Sequence, residues 1–137
     1  MPDISIIVVT YNSAKDIDRC LGSVERTKDG LEIDMRPAIR AVVEDADAGT
    51  SRERIAARFH ETVARMTVEV CRRLADEAGL RRVMVTGGVA QNMLLLERVL
   101  AGLRRAGLEP YLNRQVPCND GGLSFGQAVV AAARSSR

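Results

Sequence analysis

The sequence predicts an α/β fold in which a parallel sheet is layered with helices. The apolar run at residues 4–10 has no alternating polar face, as expected of a strand that is buried on both sides. A second apolar strand at residues 82–86 is followed at once by two glycines. Helical periodicity fills most of the chain between the predicted strands, and the connections are short. We expect residues 4–10 to pair in parallel with residues 82–86.

Capping residues and helix-breaking residues determine the predicted bounds of the helices in the first half of the chain. Ser13 is a suitable N-cap for a helix, and Asp34 is a suitable N-cap for the next one. Pro37 suits the first turn of that second helix, and Gly49 suits its end. The predicted elements are a helix from Ser13 to about Val24, a turn over residues 27–30 and a helix over residues 34–48.

The longest predicted helix opens with a capping box formed by Thr50 and Glu53. It runs to about Glu77 and ends at Gly79. Its apolar residues recur at spacings of three or four, which predicts a single core-facing stripe. The expected stripe is Ile55, Phe59, Val63, Met66, Val70 and Leu74.

The second half alternates between strands and helices. The predicted order is a strand over residues 82–86, a helix from about Gln91 to Ala106, a strand over residues 110–113, a loop over residues 116–122 and a helix from about Leu123 to Ala133. This alternation supports the layered fold.

Composition excludes several classes of function. The chain of 137 residues has 20 basic and 18 acidic side chains, so its net charge of +2 does not favour nucleic-acid binding. Its two Tyr and two Phe are too few for a base-stacking surface. No segment resembles a targeting peptide or approaches the roughly 20 apolar residues of a membrane span. Three cysteines without a CxxC pair suggest reduced thiols and a cytoplasmic protein.

Two glycine pairs at helix starts are the candidate ligand sites. In the first, Gly87 and Gly88 would let a ligand approach the backbone, and the following helix would favour a phosphate. Asn92, one turn in, would bond a ribose hydroxyl or a phosphate oxygen. The alternative is a tight strand-to-helix turn without a ligand, since the pattern is neither a Walker loop nor GxGxxG.

The second pair is Gly121 and Gly122, which follow Asp120. Asp120 is either an ordinary N-cap or a carboxylate ligand of a metal that meets phosphates. In a parallel sheet both glycine turns lie at the carboxyl edge, where ligands bind.

The remaining reactive residues give weaker signals. His60 is the only histidine, so a histidine-based metal site is not expected within this chain. A triad of Ser124, His60 and Asp120 has no support from the sequence pattern. Cys118 lies in a loop, and nothing in the sequence indicates an activated thiolate.

From about residue 28 to residue 133 the chain resembles the C-terminal end of hydrogenase-maturation carbamoyltransferases, the HypF family. The matching stretches are DGLEIDMRPAIRAVVED, RIAARFHETVARM, VMVTGGVAQNMLLLERVL and YLNRQVPCNDGGLSFGQAVVA. GGVAQN and NDGGLSFGQ, in this order and at this separation, are the specific part of the resemblance.

The resemblance implies half of an actin/Hsp70-like ATPase domain. The family transfers a carbamoyl group from carbamoyl-adenylate, made with ATP, to a cysteine thiol of a partner protein in [NiFe] hydrogenase maturation. By this resemblance the nucleotide pocket is lined by Gly87, Gly88, Asn92, Gly121 and Gly122. Asp120 would be the ligand of a divalent metal, Mg or Fe, beside the phosphates.

Two departures from the family pattern bear on activity. The histidine pair that completes the metal site in related domains is absent, and so are the family's preceding domains. We therefore expect little or no turnover from this chain alone. The alternative is a non-catalytic folded module, which could form a homodimer.

The first 24 residues resemble the start of a family 2 glycosyltransferase, with Thr10, Tyr11 and Asn12 at its nucleotide-facing turn. This resemblance predicts a fusion of two gene ends, with residues 1–26 as the glycosyltransferase-like piece and residues 27–137 as the carbamoyltransferase subdomain. A residual sugar-nucleotide binder is a third possible function.

Overall fold

The structure is a computed structural model that describes residues 5–7, 24–27 and 30–135. Its strands are β1 (Ser5–Ile7), β2 (Val24–Thr27), β3 (Gly30–Ile33), β4 (Arg82–Val85) and β5 (Glu109–Leu112). The described α-helices are α1 (Arg36–Asp47), α2 (Arg52–Ala78), α3 (Met93–Arg105) and α4 (Leu123–Ser135). Short 3₁₀ turns at Gly88–Gln91 and Asp120–Gly122 precede α3 and α4.

The sheet that positions the candidate site has the order β1-β4-β5 and is parallel throughout. Ser5 pairs with Val83, and Val83 pairs in turn with Pro110. The α/β prediction is therefore confirmed, and so is the parallel pairing of the N-terminal apolar run with the strand at residues 82–86.

A β-hairpin precedes the helices. β2 and β3 pair antiparallel, with Thr27 opposite Gly30, and sequence reasoning missed both strands. The two central residues of the turn predicted over residues 27–30 lie outside the described residues. The helix expected from Ser13 lies outside the described residues, except that its expected last residue, Val24, begins β2. The expected domain boundary after residue 26 falls within the same strand.

The core lies between the sheet and the packed pair α2 and α3. It is formed by Val63, Ala64, Cys71, Ala75, Val83, Leu95, Val99, Leu103 and Leu108. Gly102 allows the two helices to approach closely, because a Cβ there would lie 2.6 Å from Cγ2 of Val68. An ion pair reinforces the contact, since Arg98 Nη1 donates to Glu61 Oε2 over 2.8 Å.

The buried face of α2 is rotated from the expected stripe. Val63 and Met66 are buried as expected, but Leu74 is 37% exposed. The buried row instead runs every four residues from Val63 to Ala75 and includes Thr67. Thr67 is tolerated there because its hydroxyl donates to the Val63 carbonyl over 2.8 Å, which satisfies the polar group within the helix.

The expected capping residues are each displaced by one position. Met35 occupies the N-cap of α1, although Asp34 Oδ1 still accepts from the Arg36 N–H over 3.0 Å. Ser51, not Thr50, is the N-cap of α2. The predicted helix ends are confirmed, because Gly49 and Gly79 have φ angles of 71° and 67°.

Thr50 contributes instead to a buried polar contact between α1 and α2. Its hydroxyl donates to Asp45 Oδ1 over 2.8 Å, and Arg58 Nη1 lies 2.7 Å from both carboxylate oxygens of Asp45. Asp45 is only 1% exposed, so the arginine and the hydroxyl compensate the cost of burying its charge.

Candidate functional site

The structure brings the two glycine turns together at the carboxyl end of β4. The N–H of Gly87 donates to the carbonyl of Cys118 over 2.8 Å. The hydroxyl of Thr86 lies 3.5 Å from the same oxygen. The loop before α4 is thereby held against the turn that follows β4, at the sheet edge where α/β proteins bind ligands.

In the first turn the backbone conformation requires glycine at position 87, and there is free space on the side-chain side of both Gly87 and Gly88. Gly87 has φ 101° and ψ 161°, a conformation that other residues rarely adopt. A Cβ at Gly87 or Gly88 would have no atom within 4 Å. A ligand can therefore approach this stretch of backbone.

Asn92 is the N-cap of α3, whereas the sequence placed it one turn inside the helix. Its Oδ1 accepts from the Leu95 N–H over 3.2 Å. Its Nδ2 lies 2.9 Å from Nε2 of His60. The helix begins later than predicted because the 3₁₀ turn at Gly88–Gln91 occupies the expected first residue.

In the second turn Asn119, not Asp120, has the capping role. Its Oδ1 accepts from the Gly121 N–H over 3.0 Å, so an N-cap role for Asp120 is wrong. Asp120 is exposed, and its carboxylate has no hydrogen bond or ion pair within the described part of the chain. Gly122 is required by packing, because a Cβ there would collide with the Pro117 carbonyl oxygen.

Asn113 adds an acceptor that sequence reasoning missed. It follows β5 directly, in the position next to Thr86 when the β4–β5 register is continued. Its Oδ1 is buried, and no donor for it exists among the described residues. A buried acceptor of this kind needs a partner. The only sequence signal for it was an asparagine at the last position of the predicted strand over residues 110–113.

An open groove of about 710 Å³ lies along β5 and the loop after it, lined by residues that include Asn113 and Val116. The cavity beneath the glycine turn is lined by residues that include Thr86 and Val89. Its volume is about 30 Å³, which is the volume that one water molecule occupies in the liquid. A second groove of about 700 Å³ lies elsewhere, between α2 and α3, among Glu61, Arg65 and other charged side chains. A nucleotide at the glycine turns would therefore lie over the turns and not in the small cavity beneath them.

The described part of the chain holds no cluster of three or more His, Cys, Asp or Glu side chains suited to a metal ion. Asp120 supplies one carboxylate, so these residues do not form a metal site by themselves. None of the described helices is long and apolar enough to cross a membrane.

The nucleophile and base candidates are not arranged for catalysis. The hydrogen bonds of His60 go to the Ala56 carbonyl and to Asn92, not to Ser124 or Asp120. Cys71 is buried, and burial raises the pKa of its thiol to about 11. These contacts give a Ser-His-Asp triad no support.

A family profile described as "Carbamoyltransferase, Kae1-like Domain, second subdomain" matches residues 9–127. The chain belongs to this family. The match begins well before residue 28, so the family covers most of the stretch that resembles a glycosyltransferase. None of the comparisons supports a glycosyltransferase start.

Similar proteins include a "Carbamoyltransferase HypF homolog" of Cupriavidus necator, 36% identical over 128 residues. That alignment covers 92% of this chain and 32% of the relative. A crystal structure of full-length HypF in a phosphate- and nucleotide-bound form matches with a TM-score of 0.73 and 40% identity, over 77% of this chain and 14% of that one. HypF of T. kodakarensis matches with a TM-score of 0.65 and 28% identity, over 78% and 14%.

These relatives confirm that the fold is the actin/Hsp70-like type found in HypF. The chain spans about a third of the C. necator relative and about a seventh of the two solved structures.

Proposed function

We propose that this chain supplies one wall of the nucleotide site in a HypF-type carbamoyltransferase. The observation that carries the proposal is the hydrogen bond from Gly87 to Cys118, which joins the two family-matching glycine turns at the ligand-binding edge of the sheet. The matching HypF structure is described as phosphate- and nucleotide-bound, which supports the same ligand class here. The reaction would transfer a carbamoyl group from carbamoyl-adenylate to a cysteine thiol of a partner in [NiFe] hydrogenase maturation.

Each turn has a distinct role in this proposal. Gly87 and Gly88 leave the backbone open to a nucleotide phosphate, since no side chain stands above them. Gly121 and Gly122 keep the second turn tight beside the first.

Asp120 remains the candidate carboxylate beside the phosphates, because it is exposed. A divalent metal, Mg or Fe, needs further ligands that the described residues do not supply. Nucleotide, carbamoyl group and thiol must also be positioned together for transfer. We therefore propose that the chain alone binds a nucleotide weakly and does not turn over.

The test is thermal unfolding of the chain with ATP and Mg²⁺, with UDP and Mg²⁺ as the control ligand. A ligand that binds only the folded state adds about 2.7 kcal/mol of stability at a hundredfold excess over its Kd. We expect a rise in Tm with ATP that is lost in Gly88→Val, where the new side chain enters open space above the turn. Gly126→Ala is the matched control, since its Cβ also meets no atom within 4 Å.

The other outcomes separate the alternatives. A cooperative thermal unfolding whose Tm changes with neither ligand would support the non-catalytic module and overturn the nucleotide site. A Tm rise with UDP alone would favour the sugar-nucleotide binder. Loss of the ATP effect in Asp120→Ala would support the carboxylate role, whereas an unchanged effect would remove Asp120 from the site.

Self-association is a second candidate function, and α4 favours it. This helix has no buried residue. Its large apolar side chains are 50–61% exposed, namely those of Leu123, Phe125, Val129 and Val130. A helix that is apolar on most sides is normally covered. We expect a concentration-dependent homodimer in analytical ultracentrifugation that Val129→Lys disrupts. A monomer at all concentrations would exclude it.

We also propose a cytoplasmic location. Cys71 and Cys118 are both free thiols, as expected of a reducing compartment. The thiol-bearing partner remains a proposal that rests on the family.

A further inference from the structure

A chain of hydrogen bonds joins the start of α3 to the middle of α2. It runs from the Leu95 N–H to Oδ1 of Asn92 over 3.2 Å, and from Asn92 Nδ2 to Nε2 of His60 over 2.9 Å. It ends with Nδ1 of His60, which lies 2.8 Å from the Ala56 carbonyl oxygen. A backbone group therefore lies at each end.

The backbone groups at the two ends of this hydrogen-bond network determine which side-chain atoms carry protons. Leu95 N–H can only donate, so the Asn92 atom facing it is the oxygen and the atom facing His60 is the NH₂ group. Because this NH₂ donates, Nε2 of His60 must carry a lone pair. The carbonyl of Ala56 can only accept, so Nδ1 of His60 carries the proton. The network requires neutral His60 in its Nδ1–H form.

We propose that His60 is a positioning residue, which holds Asn92 and so sets the turn at Gly88–Gln91 for the nucleotide. Asn92 follows that turn directly and caps the helix behind it. A free asparagine amide could rotate. The bond from Asn92 Nδ2 to His60 sets the orientation of the amide, and so also the position of its Oδ1. The effect on ligand binding rests on the proposed function above, whereas the effect on Asn92 does not.

The position of His60 suits this role. Its ring is half-buried and packs edge-on against Phe59, with ring centroids 5.6 Å apart and planes at 81°. His60 and Asn92 are 32 residues apart in sequence, so their bond is a tertiary link between two helices. The described contacts of His60 thus connect the core-packed helix α2 to the turn at the sheet edge.

The first experiment is ¹⁵N NMR of the His60 ring in the full chain. We expect a protonated Nδ1 and an unprotonated Nε2 in the neutral ring. In Asn92→Ser the serine still caps α3, but no donor reaches Nε2, so the Nε2 resonance should shift. A ring protonated at Nε2 in the wild type, or no shift in Asn92→Ser, would overturn the proposal.

The second experiment measures ATP affinity and amide exchange in His60 variants. A neutral hydrogen bond contributes about 0.5–1.5 kcal/mol, so we expect His60→Ala to weaken ATP binding by about two- to tenfold and to speed exchange at the Leu95 amide. His60→Gln retains an acceptor and should recover part of both effects. Arg65→Ala, at an exposed position on α2, is the matched control.

The two proposals fail in different ways. If the wild type does not bind ATP, the proposed function fails, and the exchange rate at Leu95 together with the ring tautomer still decides the role of His60. If ATP binds but His60→Ala leaves both affinity and exchange unchanged, the positioning role is overturned and the nucleotide site stands.

Discussion

Two asparagines at the glycine turns show that asparagine can have either a structural or a ligand-binding role at such a position. Asn92 and Asn119 each accept a backbone N–H with the side-chain oxygen. The sequence predicted Asn92 as a ligand residue and did not single out Asn119. Asparagine is favoured both at helix starts and at ligand sites, so its position alone could not separate these roles. Asn113 was missed for a related reason, since burial of its oxygen depends on tertiary packing.

Glu69 makes the stability of the fold sensitive to acid. A hydrogen bond from Arg72, opposed by burial and assisted by Arg73, lowers its pKa from 4.5 to about 2. Its carboxylate therefore contributes stability above pH 4.5, and this contribution is lost as pH falls from about 4.5 to about 2. In Glu69→Gln the free energy of unfolding should fall less steeply over that interval in urea titrations. An identical slope in both proteins would contradict the assignment.

Arg58 and Arg65 allow a matched comparison of a buried and an exposed ion pair on one helix. Arg58 contacts Asp45, whose side chain is 2% exposed, whereas the partner of Arg65 is the more exposed Glu61. We expect Arg58→Met to cost about 1–3 kcal/mol of unfolding free energy, because a buried carboxylate loses its ion pair with Arg58. Arg65→Met should cost less than about 1 kcal/mol. Equal losses in urea denaturation would be inconsistent with this contrast.

At the scale of elements, helix ends were more predictable than helix faces. Gly49 and Gly79 both end helices with a positive φ, as local sequence predicted. The buried face of α2 was misjudged because Thr67 can be buried once it bonds its own helix. Strands β2 and β3, with the sequences VERT and GLEI, were missed because they lack an apolar run and pair only with each other.

The packing of α2 against α3 depends on the missing side chain of Gly102. Alanine has the better helix propensity, by about 0.5–1 kcal/mol, but its Cβ would clash with Val68. We expect Gly102→Ala to lower the unfolding free energy by about 1–3 kcal/mol. In exposed α4, Gly126→Ala meets no such obstacle and should be neutral or stabilising. Thermal melts of both variants measure the difference, and a stabilised Gly102→Ala would show that the helices can separate without loss.

At the scale of the molecule, the parallel sheet and its glycine-bearing edge were predictable from strand pattern and helix alternation. The proposed junction near residues 24–28 has no support, because the family profile extends from residue 9 across it. That junction was inferred from resemblance and not from a requirement of folding. The arrangement of the candidate site was less predictable, because the two glycine turns meet through a tertiary hydrogen bond from Gly87 to Cys118 that no local pattern specifies.

The free-standing helix α4 leads to a prediction for the whole chain. Because none of its residues is buried, a chain that ends at Gly122 should retain the core. We expect its unfolding free energy to stay within about 0.5 kcal/mol of the full chain, measured on monomers at low concentration. A large loss would mean that α4 packs against the rest of the molecule in solution.

The hydrogen bond from Gly87 to Cys118 also closes a ring in the chain. Between these residues lies one complete crossover unit: the turn after β4, then α3 and β5. Opening this bond together with the longer contact from the Thr86 hydroxyl would loosen the loop before α4 without breaking the sheet. The Gly87 amide is therefore a local reporter of ring closure, and its exchange with solvent would record how often the candidate site comes apart while the core stays folded.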